Sequence, residues 1–182
     1  MKFYALIFIA TAAVIGSANG QDARPKPPSQ LNGKSITINY FETRKSKPED
    51  GGEINTRKVP FKLIIYVSSE GNLFNRLLAG NNARTSDQTK GARDMSQFAD
   101  RDTVFDKQKM TVVNTYYGGK GSRTIEATFD ETFSKCTATV TTKIDGEYVK
   151  RRLMTGGFEL LYSASASDIS CAIVNGNELQ TN

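Results

Sequence analysis

Residues 109–129 read KMTVVNTYYGGKGSRTIEATF, and this segment indicates the class of the fold more clearly than any other. On both sides of the glycine-rich residues 118–121, apolar and polar side chains alternate with a period of two, which is typical of half-buried β-strands. Met110 and Val112, for example, fall on one face and Thr111 and Thr115 on the other. A turn rich in glycine between two such runs predicts a β-hairpin.

The same alternation recurs on both sides of this hairpin. In a strand that starts near Lys34 it places Ile36, Ile38 and Tyr40 on one face. Further runs of this kind occupy residues 59–69, 73–77, 136–144, 148–153, 158–163 and 170–174. Turn residues predict hairpins between 59–69 and 73–77 and, through Asp145-Gly146, between 136–144 and 148–153. Eight or nine strands with almost no helical periodicity predict an all-β domain.

Two architectures suit such a set of strands, because both protect the edges of the sheet. Sequential hairpins without obvious long crossovers favour a small antiparallel barrel of about eight strands, up-and-down or partly open. A two-layer β-sandwich is the alternative. It needs longer returns between strands, and the polar segment 80–108 is the only obvious candidate for one.

The first twenty residues, MKFYALIFIATAAVIGSANG, are typical of a secretory signal peptide. Lys2 precedes an apolar run that is too short to span a bilayer comfortably, and the small residues Ala18 and Gly20 predict cleavage before Gln21. We therefore expect a secreted or periplasmic protein that keeps no integral membrane segment after the signal peptide is removed.

The remaining chain divides by composition into a leader and one domain. Residues 21–33 contain three prolines and predict a flexible leader, and residues 34–182 predict a single β domain. Within that domain, residues 80–108 are polar and predict a long loop, with a short helix near 93–98. Such a loop supports one functional alternative, a protein-protein interaction or inhibitor module.

Cys136 and Cys171 are the only cysteines of the chain. An exported protein meets an oxidising compartment, where two thiols usually form a disulfide, so we expect these two to be bonded. In the chain-entropy model, closing a loop of about 36 residues stabilises a fold by about 4 kcal/mol. A redox role would need a lowered thiol pKa, and no residue near either cysteine is typical of one.

The 182 residues include no His and no Trp. Without His, neither a Ser-His-Asp nor a Cys-His catalytic arrangement can form, and there is no imidazole metal site. We therefore expect a protein that is not an enzyme, with no catalytic residue, no cofactor and no metal. A carbohydrate-active enzyme that uses only carboxylates, from among Glu126, Asp130 and Glu131, is the last alternative.

Asp100, Asp102 and Asp106 have a spacing faintly like that of a calcium-binding loop. The turn glycine and the terminal glutamate of such a loop are missing. We therefore interpret these three acids as solvated loop residues.

The formal net charge is +5, with short basic clusters at Arg44-Lys45-Ser46-Lys47 and Lys150-Arg151-Arg152. Neither cluster is interleaved with aromatic residues, as stacking on bases requires, so nucleic acid is not an expected partner. A solvated face is the favoured interpretation. Anionic glycans and lipid headgroups are alternatives.

Four tyrosines are candidate ligand-binding residues: Tyr66, Tyr116, Tyr117 and Tyr162. A tyrosine at a barrel mouth offers a small ligand both an apolar ring and a hydroxyl group. Packing at the end of a β core is the alternative for each of them. With this assignment, the sequence favours a non-enzymatic protein that binds a small ligand or an envelope component. Its oligomeric state is left open.

Three motifs also carry a resemblance to a known family. They are Gly33-Lys34-Ser35-Ile36 in the first strand, the hairpin IYVSSEGNLFNR at 65–76, and the cysteine pair near the carboxyl terminus. In these motifs the chain resembles an uncharacterised family of small exported proteins from rhizobia-type alphaproteobacteria. The resemblance covers most of the chain after the signal peptide. It implies export and the disulfide, and it transfers no activity, ligand or site residue.

Overall fold

A computed structural model describes residues 26–83, 103–116, 120–153 and 156–180. The strands in these ranges are β1 (Lys34–Pro48), β2 (Asn55–Val67), β3 (Leu73–Ala79), β4 (Thr103–Asp106), β5 (Lys109–Tyr116), β6 (Gly121–Phe129), β7 (Cys136–Ile144), β8 (Val149–Arg152) and β9 (Phe158–Asn175). Short 3-10 helices occupy Ser29–Leu31, Gly80–Ala83 and Glu178–Gln180. Within the described ranges, no helix has the length and apolar character that crossing a membrane requires.

The strands form two antiparallel sheets, which confirms the all-β class. The five-stranded sheet has the order β3-β2-β1-β9-β8, and the four-stranded sheet has the order β4-β5-β6-β7. The strand pairs of the described residues do not close a barrel, so the expected barrel mouth is not formed and the two-layer alternative fits. The reason is non-local: β9, the last strand, pairs with β1 along nearly its whole length and with β8 on its other side, so β8 joins the five-stranded sheet and not β7.

Two predicted hairpins are confirmed. β2 pairs with β3 in a register that places Val67 opposite Leu73, and β5 pairs with β6 in a register that places Tyr116 opposite Gly121. Both pairs join strands that are neighbours in the chain and alternate cleanly. In such segments local pattern and turn chemistry are enough to predict the pairing.

The predicted hairpin between 136–144 and 148–153 is wrong. β7 pairs with β6 in the four-stranded sheet, whereas β8 pairs with β9 in the five-stranded sheet. The Asp145-Gly146 turn therefore carries the chain from one sheet to the other. Asp145 fixes its start, because its backbone N–H donates to the carbonyl of Lys120, 2.9 Å away. A turn sequence predicts that the chain changes direction, but it does not predict which strand will pair with the strand that follows the turn.

β9 is also longer than predicted. The two expected strands at 158–163 and 170–174 belong to one strand of 18 residues. Its register with β1 shifts at two places, and Asp168 has a positive φ of 52° at one of them. Each such β-bulge adds a residue on one strand and interrupts the alternation of apolar and polar side chains. The sequence pattern therefore suggests two strands where the structure has one continuous strand.

The structure describes only part of the predicted leader, 21–33, and part of the predicted loop, 80–108. Residues 1–25, with the predicted signal peptide, and residues 84–102, with the predicted short helix, lie outside the described residues. Within the predicted leader, however, Leu31 is fully buried in the core, so packing begins before Lys34. Within the predicted loop 80–108, Thr103–Asp106 is strand β4 and pairs with β5.

The main core lies between the two sheets. The five-stranded sheet contributes inward residues of β1 and β2 such as Ile36, Ile38 and Leu63, and the four-stranded sheet contributes Met110 and Ile125. Burial of large aliphatic side chains is the dominant stabilising term, at about 1.5–3 kcal/mol for each fully buried one. The inward positions recur with a period of two, as the sequence predicts.

The predicted disulfide between Cys136 and Cys171 is present. It joins β7 to β9 and so connects the two sheets, with a Cα–Cα distance of 5.5 Å. On β9, Cys171 lies opposite Ile38 of β1 in the ladder. The bond therefore fixes the four-stranded sheet against the most buried part of the five-stranded one.

A second, smaller core covers part of the outer face of the five-stranded sheet. It consists of Ile64, Leu78 and Leu179, the last from the carboxyl-terminal 3-10 helix. The hydroxyl of Ser35 holds this helix in place. It donates to the carbonyl of Gly176 at 2.7 Å and accepts from the backbone N–H of Glu178 at 2.9 Å.

Candidate binding face on the five-stranded sheet

The outer face of the five-stranded sheet is open where the second half of β1 lies. This half runs from Phe41 to Pro48 and pairs with the first residues of β2 and of β9, and β9 pairs in turn with β8. We call this region the basic face. Its outward side chains are the cations Lys45, Lys47, Lys58, Lys150 and Arg152 and the aromatic residues Phe41, Tyr148, Phe158 and Tyr162.

Strand order brings together two basic clusters that are about a hundred residues apart in sequence. Lys45 and Lys47 come from the cluster on β1, and Lys150 and Arg152 come from the cluster on β8. β9 lies between β1 and β8. In the ladder, Leu160 of β9 is opposite both Lys47 and Lys150, so the two clusters share one cross-strand row.

β9 also supplies the aromatic residues that neither basic cluster contains. Arg152 lies opposite Phe158, and Tyr162 lies beside Ser163, the partner of Lys45. Tyr148, just before β8, contacts Tyr162 edge-on, with ring centroids 5.9 Å apart. The missing interleaving of aromatic and basic residues is thus a property of the linear sequence only, and the folded face has both.

Three lysines of the basic face lie over aromatic rings. The ammonium nitrogen is 4.4 Å from the ring centroid for Lys150 on Phe158, 4.6 Å for Lys58 on Phe41 and 5.8 Å for Lys47 on Tyr162. Such contacts hold each ammonium group in place. They do not use all three of its N–H donors, so a ligand can accept a hydrogen bond from it. Tyr148 and Phe158 are each 42% exposed, so both rings are also accessible.

Cations outnumber carboxylates on the basic face. Lys58 pairs with Asp168 at 2.6 Å, and Lys150 pairs with Glu49 at 2.5 Å. The hydrogen bond from Lys58, together with its charge, lowers the pKa of Asp168 below its usual value, so this acid is ionised at neutral pH. The other three cations of the face, Lys45, Lys47 and Arg152, form no ion pair with any acid in the described ranges. The face therefore carries a net positive charge.

A buried ion cluster lies on the inner side of the same half of β1. Glu42 accepts from Arg44 at 2.5 Å and from Arg123 of β6 at 2.6 and 3.1 Å, and all three side chains are largely buried. Both guanidinium groups also lie over the ring of Phe61, at 5.1 and 4.6 Å from its centroid. Residues alternate along a strand, so this cluster fixes the backbone that presents Lys45 and Lys47 outward.

Two opposing effects act on the pKa of Glu42. Burial is the larger single influence and raises it, because desolvation penalises the charged carboxylate. The charges and hydrogen bonds of Arg123 and Arg44 together outweigh burial and lower the pKa below its usual value. Glu42 is therefore ionised at neutral pH and balances one of two buried guanidinium charges.

A second buried carboxylate, Glu159 of β9, lies further along the inner side. It accepts from the Ser46 hydroxyl at 3.3 Å, and its oxygens lie 2.6 Å from Arg151 and 3.9 Å from the more exposed Arg57. The Arg151 contact is short but poorly aligned for a hydrogen bond, so we regard it as an ion pair. On the inner side of this part of the sheet, the ion pairs of Glu42 and Glu159 thus take the place of the apolar core.

The structure separates two of the predicted tyrosines. Tyr162 lies on the basic face, whereas Tyr66 packs against Phe74, with centroids 6.1 Å apart, beside the small outer core. Tyr66 pairs with Ser35 at one end of β1, and Tyr162 lies near Lys45 towards the other end. Tyr116 is the last residue of β5, and Tyr117 lies outside the described residues. A ligand role for these tyrosines stays a prediction.

The carboxylates considered for catalysis lie on β6 and in the turn that follows it. Asp130 accepts from the hydroxyl groups of Thr132 and Ser134 and from the backbone N–H groups of Ser134 and Lys135. These bonds, the one from Ser134 above all, lower the pKa of Asp130 far below its usual value. Glu126 pairs with Lys109 at 2.6 Å, and Glu131 is exposed in the turn after β6.

The described residues contain no cluster of three or more His, Cys, Asp or Glu side chains that could hold a metal ion. Of the proposed calcium ligands, Asp106 is exposed at the end of β4, and Asp100 and Asp102 lie outside the described residues.

No sequence pattern indicates a role for Tyr148 or Phe158, or the proximity of the two basic clusters. Composition alone offered one signal, the two short runs of Lys and Arg at 44–47 and 150–152. Their common location depends on β9 lying between β1 and β8, and that pairing has no local signature.

Comparisons of the chain with protein-family models, with curated proteins and with solved structures found no match. The resemblance in the sequence motifs therefore stays an expectation, and the basic face is the feature of the molecule that bears on function.

Proposed function

We propose that the chain is an exported, non-enzymatic binding protein whose basic face holds an acidic polysaccharide of the cell envelope. One observation carries the proposal: the face combines five cations and four aromatic residues with only two carboxylates, both already paired. Clustered lysines attract a polyanion, and accessible rings offer an apolar surface against which the faces of sugar rings pack.

The small residues of the basic face favour a polysaccharide over a bilayer. Between the lysines, β1 and β9 present the hydroxyl groups of Thr43, Ser163 and Ser165. Hydroxyl groups donate to and accept from a sugar, whereas insertion into the headgroup region of a bilayer depends on protruding apolar side chains. The predicted signal peptide and the disulfide support export, and the absence of His supports a binding role.

Charge reversal tests the proposal. We expect the purified chain to bind polygalacturonate, with an affinity that falls as salt is added because the contacts are ionic. The double variant Lys45→Glu/Lys47→Glu should lose about tenfold or more in affinity. Lys120→Glu/Lys143→Glu changes the net charge equally on the four-stranded sheet and is the matched control, with less than about a twofold change expected.

Three results would overturn the proposal. The first is no binding to any acidic polysaccharide at low salt. The second is an equal loss of affinity in the control variant, which would indicate net charge alone. The third is equal or tighter binding to phosphatidylglycerol vesicles or duplex DNA with the same dependence on Lys45 and Lys47, which would assign the face to another class of partner.

Export has its own test. The intact mass of the protein from its native host should correspond to a chain that begins at Gln21 and has lost two hydrogens to the disulfide. A mass that includes residues 1–20 would contradict the predicted cleavage.

A further inference from the structure

A depression lies at the edge of the basic face, beyond the end of β1. Its volume is about 340 Å³, within the range of small-molecule sites. The lining residues are Pro48, Glu49, Asp50, Leu153, Gly156, Gly157 and Phe158. Phe158 also belongs to the basic face, so the pocket and the face are continuous.

Backbone hydrogen bonds hold the pocket walls in place. Glu49 donates to the carbonyl of Phe158 at 3.0 Å and attaches the turn after β1 to the start of β9. On the other wall, Leu153 donates to the carbonyl of Gly157 at 3.1 Å, and Gly156 donates to the carbonyl of Leu153 at 3.2 Å. These bonds fix the described backbone of both walls, which lowers the cost of ordering it when a ligand binds.

The pocket differs from the basic face in charge. Pro48, Leu153 and Phe158 give it apolar walls, and Glu49 and Asp50 give it carboxylates. Lys150 neutralises Glu49, with the two charged groups 2.5 Å apart, whereas Asp50 pairs with no cation among the described residues. An acidic group would therefore be repelled here, while an uncharged group with hydroxyl donors would satisfy the carboxylate oxygens and cover the apolar walls.

We infer that the pocket binds one uncharged sugar unit of the acidic polysaccharide whose charged units lie on the basic face. This inference rests on the proposed function and narrows it. The ligand is then a mixed polymer in which uncharged and acidic sugars are neighbours, and the Lys150–Glu49 pair marks the border between the two subsites.

Two sets of oligosaccharides with equal numbers of carboxylates test this inference by calorimetry. Hyaluronan fragments alternate acidic and uncharged sugars, and oligogalacturonates contain acidic units only. We expect the chain to bind the hyaluronan fragments about tenfold more tightly. Asp50→Asn and, separately, Leu153→Trp, which fills the pocket, should each remove this preference by weakening the binding of the hyaluronan fragments. Glu53→Gln is the control, because Glu53 is an exposed acid of the same turn and does not line the pocket.

The outcomes separate this inference from the proposed function. If both sets bind through Lys45 and Lys47 but equally well, the pocket assignment is wrong and the basic face stands. The same conclusion follows if the preference for hyaluronan survives in both pocket variants. If neither set binds, the proposed function and this inference fail together.

Discussion

The two halves of β1 lie in the same sheet and differ on both of their faces. In the first half, Ile36 and Ile38 face the main core, while Ser35 and Thr37 are also buried and Ser35 bonds to the carboxyl-terminal segment. In the second half, charged residues replace apolar ones on the inner side, and the outer side is open and basic. One half of the strand is held by burial and the other by charge pairing.

The first half of β1 contributes to the core, and the second half presents the side chains of the proposed binding face. Because the first half of β1 is mostly buried on both faces, it leaves little surface for a partner. The second half keeps its backbone in place through the Glu42 cluster on the inner side, so its outer side chains are free to bind. Ion pairs that are largely buried are directional, and they fix position without covering the outer face.

The largest effect is expected from breaking the Glu42 cluster. Glu42→Gln removes the buried carboxylate charge that Arg44 and Arg123 share, and loss of one partner of a buried pair costs about 3–5 kcal/mol in free energy of unfolding. Equilibrium denaturation in urea measures it. Glu126→Gln, which breaks the exposed pair with Lys109, should cost about 0–1 kcal/mol. Equal losses in the two variants would show that the second half does not depend on this cluster.

The disulfide tests the first half of β1. The double variant Cys136→Ser/Cys171→Ser should lose about 4 kcal/mol in free energy of unfolding, because the unfolded chain is no longer constrained by the closed loop. Urea denaturation of this variant and of the reduced wild type should agree. Stability that does not change when the bond is removed would indicate that packing alone holds the two sheets together.

Acid should reduce the stabilising effect of the Glu42 cluster, which holds the second half of β1. The pKa of Glu42 is lowered in the folded state, so its stabilising effect is complete above the unfolded value of about 4.3 and is lost as pH falls through the folded pKa. The stability difference between wild type and Glu42→Gln should therefore shrink in that window, by up to about 1.4 kcal/mol per pH unit. A constant difference between pH 7 and pH 2 would contradict the assigned role of the carboxylate.

The smallest stability effect is expected on the outer side of the second half. Lys45→Glu/Lys47→Glu should change the free energy of unfolding by about 0.5 kcal/mol or less, since neither lysine pairs with an acid in the described part of the chain. Thermal melting measures it alongside the binding assay. A loss above about 2 kcal/mol would assign these lysines a structural role.

Local features of the sequence predicted those parts of the fold that depend on near neighbours. The hairpins of β2 with β3 and of β5 with β6 follow from alternation and turn residues, and the disulfide follows from the presence of just two cysteines in a chain expected to be exported. Sequence could not predict that β8 joins β9 rather than β7, because both candidate partners have the same alternating pattern.

The candidate site was predicted only in fragments for the same reason. The two basic clusters and Tyr162 were each noted from the sequence, whereas the tyrosines were expected at a barrel mouth that the described strands do not form. Phe158 and Tyr148 gave no signal, because an exposed aromatic residue at the start of a strand has the same pattern as a buried one. Their role depends on which cations lie across the neighbouring strands.

Local sequence is enough to establish the class of this protein: β-strands with a period of two, one cysteine pair, no histidine and a basic net charge. These properties belong to single residues or to neighbours along the chain. The tertiary structure alone decided that β9 lies between β1 and β8, which places two distant basic clusters and four aromatic residues on one face. Strand order depends on the packing of the whole core, and no local segment contains that information.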